Sequence, residues 1–85
     1  MNEPAKPSFS VSPNPARGKT IVQLDEPFTG HISLIDAYGK QQLRLVVKDV
    51  REQEIRWPAN LPPGIYLIRL QSGVSRLEQK IVIAP

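Results

Sequence analysis

The 85-residue chain suffices for one small domain, not two, and its lack of cysteine excludes both a disulfide framework and a thiolate metal site. Hydrophobic residues make up 40% and charged residues 22%, a globular rather than a disordered balance. Eleven Lys and Arg against eight Asp and Glu leave a mild positive charge, but the cations are dispersed among apolar residues, as on a solvated sheet face rather than a nucleic-acid stripe.

Residues 1–8, with Pro4, Pro7 and no periodicity, read as a linker or lead ahead of a domain at 9–85. Met1-Asn2-Glu3-Pro4 has no signal-peptide character, and no apolar run approaches the ~20 residues that cross a bilayer as a helix. Phe9-Ser10-Val11-Ser12 alternates as a short strand, and Pro13-Asn14-Pro15 stops it because neither proline can donate to a ladder. Ala16 to Lys19 supply a turn. Thr20 to Leu24 then resumes period two, with Val22 and Leu24 inward, and ends near Glu26-Pro27.

His31 to Asp36 alternates again, with Ile32 and Leu34 inward. Asp36-Ala37-Tyr38-Gly39 has the chemistry of a hairpin turn, an Asp that bonds the backbone two residues on and a Gly free to take positive φ. Leu43, Leu45 and Val47 are expected to return antiparallel, with a polar turn at Asp49 to Gln53. Glu54 to Trp57 is a short strand stopped by Pro58. Leu61-Pro62-Pro63-Gly64 launches Ile65 to Leu70 as a central strand: Tyr66, Ile68 and Leu70 share one face, and Ile65 and Leu67 share the other with Arg69. Gln71 to Val74 turns into Ser75 to Ile83, an antiparallel partner. With no helical periodicity and no internal repeat, the expected fold is all-β, a single immunoglobulin-like β-sandwich of about seven antiparallel strands.

No residue set for catalysis emerges. The one histidine, His31, lies on an outward strand face, and neither a triad nor a zinc site can be assembled around it. Asp25-Glu26 reads as a turn rather than a glycosidase pair, and the glycines form no phosphate loop. No catalytic, metal or cofactor-binding residue is assigned, and an enzyme is not expected. Trp57, Tyr66, Tyr38, Phe28 and Phe9 could form a sugar or peptide platform, but most are expected in so small a core, Tyr38 being the most exposable. If Ser75 to Ile83 is a sheet edge, its backbone could accept a partner strand, although Glu78 and Lys80 oppose such pairing.

Four motifs in order resemble a family: Pro13-Asn14-Pro15 after the first strand, Asp36-Ala37-Tyr38-Gly39, Leu61-Pro62-Pro63-Gly64-Ile65-Tyr66, and Lys80-Ile81-Val82-Ile83. Over residues 9–85 the chain resembles the C-terminal sorting domains of the type IX (Por) secretion system of Bacteroidota. The resemblance implies a non-catalytic transport signal on a larger cargo protein, read by an outer-membrane carrier or translocon component. It also implies removal by a sortase-like peptidase that cuts in the linker, and a cargo that passes the periplasm to become secreted or held at the cell surface. Its motif residues here are Pro13, Asn14, Pro15, Asp36, Gly39, Leu61, Gly64, Tyr66 and Lys80. Since folding accounts for the prolines, glycines and Tyr66, recognition is expected on the last strand at Leu77, Lys80, Ile81, Val82 and Ile83, with Arg76 tuning it. The alternative is a non-catalytic adhesion or carbohydrate-binding sandwich with exposed aromatics, Trp57 above all.

Overall fold

In the computed structural model, which describes residues 9–85, the apolar alternation draws out five antiparallel strands and no helix: β1 (Phe9–Ser12), β2 (Lys19–Ile35), β3 (Gln41–Arg56), β4 (Gly64–Ser72) and β5 (Ser75–Ile83). The linker expected at 1–8 lies outside the described residues. β2 organises the sheet. One of its edges carries β3 along most of its length, while the other carries β1 first, with Phe9 opposite Leu24, and then β4, with Ile35 opposite Leu67. β4 in turn pairs with β5, so the Leu61–Leu70 stretch does supply a strand flanked on both sides.

Five strands replace the seven expected, because the breakers read as strand ends are absorbed as register shifts. β2 runs through Glu26-Pro27, and its pairing with β3 slips between Gln23 and Phe28 and again between Phe28 and Gly30. A proline there costs no ladder bond, so the strand bends instead of stopping. The polar segment Asp49 to Gln53 is likewise strand rather than turn. Asp49 takes φ 53° and donates its N–H to Thr29 Oγ1 at 2.9 Å, holding β3 beside β2 across the irregularity. The sheet curls upon itself through these shifts.

Curling brings one face of every strand into a common core. Val22, Ile32, Leu34, Ile55, Ile68, Leu70 and Ile81 are each at most 1% exposed, with Val11, Trp57, Tyr66 and Ile83 beside them. Each such aliphatic side chain contributes about 1.5–3 kcal/mol by leaving water, and burial alone must offset chain entropy here. Gly30 permits the closest approach. A Cβ at this position would lie 2.2 Å from the backbone oxygen of Gln71 on β4, and its φ of +154° disfavours any side chain.

After β1 the chain crosses to the far side of the sheet. Ala16, fully buried, forms a parallel bridge with Ile83: its N–H donates to Val82 O and its carbonyl accepts from Ala84 N–H, both at 2.8 Å. Thr20, also buried, donates its hydroxyl to Pro13 O at 3.1 Å and fixes where the crossing begins.

Candidate functional site

The Pro13-Asn14-Pro15 motif is more than a strand stop. Asn14 Oδ1 accepts the Val82 N–H at 2.9 Å and Asn14 Nδ2 donates to Lys80 O at 3.5 Å, so its amide imitates a neighbouring strand on the outer edge of β5. Both prolines follow cis peptide bonds, at Ser12-Pro13 and Asn14-Pro15. With Ala16 beyond it, this segment occupies the outward backbone of β5 from Lys80 to Ala84. From the sequence the motif reads as a strand stop and as a family marker, with no contact assigned to Asn14. An Asn between two prolines marks a side chain held at a fixed angle, but its partner lies 68 residues away.

Asp36 closes the β2–β3 hairpin as expected. Its Oδ1 accepts the N–H groups of Tyr38 and Lys40, each at 2.9 Å, and its Oδ2 accepts Gln42 Nε2 at 2.8 Å. Gly39, at φ 85°, donates its N–H to Asp36 O at 3.0 Å. The N–H of Lys40 does most to hold the Asp36 carboxyl below its ordinary range. Gln42, Tyr38 and the Lys40 charge add to this against the opposing effect of partial burial.

The Leu61–Tyr66 motif is a self-braced corner. Leu61 N–H donates to Pro58 O at 3.0 Å, the half-buried Leu61 side chain packs on the core, and Gly64 opens β4. The Tyr66 ring is 5% exposed and its hydroxyl donates to Pro62 O. This corner resembles the tyrosine brace of β-sandwich domains. Burial, and then the negative charge of Asp36, push the Tyr66 phenol above its ordinary range.

On β5 the expected recognition residues divide. Ile81 and Ile83 are 0% and 3% exposed and Leu77 is half-buried against the core, so these three serve folding; Lys80 and Val82 face out. The register sets Lys80 opposite Leu67 and Val82 opposite Ile65, which is 54% exposed. Here the fold joins what the sequence separates: Asp36, Gly39, Tyr66 and Lys80 all border one shallow hollow of ≈400 Å³, together with Ile35, Ile65, Leu67 and Arg69. An apolar floor rimmed by Asp36, Arg69 and Lys80 can take an apolar side chain and orient its polar neighbours. Ile65, Leu67 and Arg69 share one face of β4; their meeting with Asp36 is decided by pairing.

The other candidates disperse. Trp57 is 9% exposed and Phe9 and Phe28 pack on the core, so a flat aromatic platform does not form, while Tyr38 stands 96% exposed at the hairpin tip. His31 is partly exposed on the outer sheet face. Asp25 and Glu26 border a second hollow of ≈390 Å³, floored by Leu24, Phe28, Leu70 and Leu77, rather than facing each other across a cleft. Among the described residues no group of three His, Cys, Asp or Glu gathers as a metal site.

The arrangement is one of motifs that brace a fold and border a surface, and comparison with known families accords with it. The family model for the secretion system C-terminal sorting domain matches residues 10–84. The chain belongs to this family. It is a type IX secretion C-terminal sorting domain, of a family that marks proteins for export and is not an enzyme family. No curated protein and no solved structure matches the sorting domain.

Proposed function

We propose that this sorting domain is read, as a folded unit at the end of a larger cargo protein, by an outer-membrane carrier or translocon component of the type IX machinery in a member of the Bacteroidota. The reading surface is the outer face of β4 and β5, with Lys80 and Val82 at its centre and Ile65, Leu67 and Arg69 beside them. The observation that carries this reading is the hollow bordered by Asp36, Gly39, Tyr66 and Lys80: three separated motifs meet there, although each has its own local structural task. Leu77, Ile81 and Ile83 then act by holding the strand in place.

Further steps follow from the family reading. After passage through the periplasm a sortase-like peptidase cuts within residues 1–8, and the cargo is attached to the cell surface or released. The crossing of Ala16 to a parallel bridge with Ile83, and the braced Tyr66, support an immunoglobulin-like sandwich in which the two bent strands each serve both layers.

The test is a fusion of residues 9–85 to a secreted reporter in a type IX-competent cell. The double variant Lys80→Glu and Val82→Glu is expected to abolish surface delivery while its melting curve stays close to that of the parent. Normal delivery of a folded double variant would overturn the assigned surface, and no delivery of the intact fusion would overturn the sorting role in that cell. A Tyr66→Ala domain that remains folded but is not delivered would show that Tyr66 is itself a contact rather than a brace.

A further inference from the structure

The sealed outer backbone of β5 directs attention to β3, a longer strand that also has a single strand partner. β3 has β2 as its one strand partner among the described residues, so its second edge carries no strand there. Backbone groups along an antiparallel strand alternate between its two sides, and the pairing can be followed inward from β5. Val82 and Lys80 turn theirs away from β4, toward Asn14 and Ala16. The registers Ile81 to Tyr66, Leu67 to Ile35 and Ile32 to Leu45 then carry the alternation across the sheet. Leu43, Leu45 and Val47 therefore bond to β2, whereas Arg44 and Val46 direct both N–H and C=O outward. Neither set of outward groups has a partner among the described residues.

The side chains on this edge have a definite chemistry. Val46 is 77% exposed, a large apolar residue left in water, and it stands between the exposed cations Arg44 and Lys48. Neither cation has a carboxylate partner among the described residues, whereas Lys19, Arg56 and Arg69 are each paired. The β3 segment Leu43-Arg44-Leu45-Val46-Val47 carries two adjacent β-branched residues and no proline or glycine. Self-pairing would bring Arg44 or Lys48 of each copy close to its counterpart, an arrangement like charges oppose. An acidic strand meets no such repulsion. The uncovered part of β5 differs, since Glu78 there is ion-paired with Arg69 on the neighbouring strand.

We infer that the β3 edge at Arg44 and Val46 is a docking site for an extended segment of a partner protein. That segment adds antiparallel to the sheet, with an apolar side chain opposite Val46 and carboxylates opposite Arg44 and Lys48. The partner pattern is thus acidic, any, apolar, any, acidic: alternate residues of one strand lie on one face, and directly opposed pairs interact most strongly. Backbone pairing supplies the affinity and the two cations set charge preference. This surface is separate from the Lys80–Val82 face, and its test does not depend on export.

The probe is a synthetic peptide with Glu at its third and seventh positions, Val at its fifth and Thr elsewhere, added to the isotopically labelled 85-residue chain. Amide hydrogen exchange and NMR shifts are expected to place protection at Arg44 and Val46, and raised salt to weaken it. A peptide with Lys in place of both Glu residues is expected to bind about tenfold more weakly. Val46→Pro removes an outward N–H without touching the β2 ladder, and is expected to lower affinity about fivefold or more with little change in melting. Should Val46→Pro fail to fold, Arg44→Glu with Lys48→Glu is expected to reverse the preference toward the Lys peptide. Absence of protection at any attainable peptide concentration, protection confined to β5, or dimerisation through β3 without peptide would each overturn the inference.

Discussion

The outer strands β5 and β3 treat the same liability in opposite ways. Along Lys80 to Ala84 the outward backbone of β5 is taken up by Asn14 and Ala16 from the start of the chain. Along Arg44 and Val46 the outward backbone of β3 stays without a strand partner among the described residues, guarded by cations alone. One edge is thus closed by hydrogen bonds from a distant part of the chain, and the other is left open behind a row of charges. The strand that ends the chain is the more firmly held, and it exposes a face rather than an edge to recognition.

Removing core from each strand tests this contrast most severely. Ile81→Ala, on the sealed strand and fully buried, is expected to cost about 2–5 kcal/mol, whereas Leu45→Ala, half-buried on the open strand, is expected to cost about 1–2 kcal/mol. Urea unfolding of both variants checks the order, and equal costs would mean that β3 is as well packed as β5. Gly30→Ala follows, at about 2–3 kcal/mol. Its methyl would press on Gln71 O and push β4 and β5 away from β2, while the β2–β3 hairpin beyond could adjust; thermal melting measures the loss.

Asn14→Ala sharpens the comparison by converting the sealed edge into an open one. It is expected to cost about 1–2 kcal/mol and to speed amide exchange at Val82, with Arg44 and Val46 exchanging as before. A Val82 amide that stays protected would show that Ala16 alone closes the edge.

The smallest effect concerns the hairpin that introduces β3. The folded state holds the Asp36 carboxyl below its ordinary value of 3.8, so its contribution is complete above that value and is lost as pH falls through the folded pKa. Asp36→Asn is therefore expected to melt below the parent at neutral pH and to approach it in acid. Glu54 is lowered in the same direction, chiefly by the Arg56 hydrogen bond, but it is common to both proteins and cancels in the difference. Melting temperatures of the pair across that window check the sign, and a gap that widens in acid would remove Asp36 from the account.

Much of this was legible in the chain. The alternation at Phe9–Ser12, Ile32–Leu34 and Tyr66–Leu70 identifies strands and their inner faces, since side-chain direction in a strand is a local property with period two. Asp36 and Gly39 announce their hairpin for the same reason: the turn's bonds reach at most six residues. Pro27 and Asp49 misled because a breaker shows only that a ladder bond is missing, not whether the strand goes on beyond the gap. Trp57, followed by Pro58, is core, as so small a domain requires of its largest apolar side chain.

The sequence by itself determined an all-β domain, its two short hairpin turns, the inward set of apolar residues, and a motif order that places the chain among type IX sorting domains. Only the tertiary structure decided that Asn14 seals β5, that Asp36, Tyr66 and Lys80 border one hollow, and that β3 keeps an open edge. The division has one physical cause. Turn geometry and strand alternation are fixed by neighbours along the chain, whereas an edge is defined by what fails to arrive from elsewhere, and that is settled when the whole sheet curls and closes.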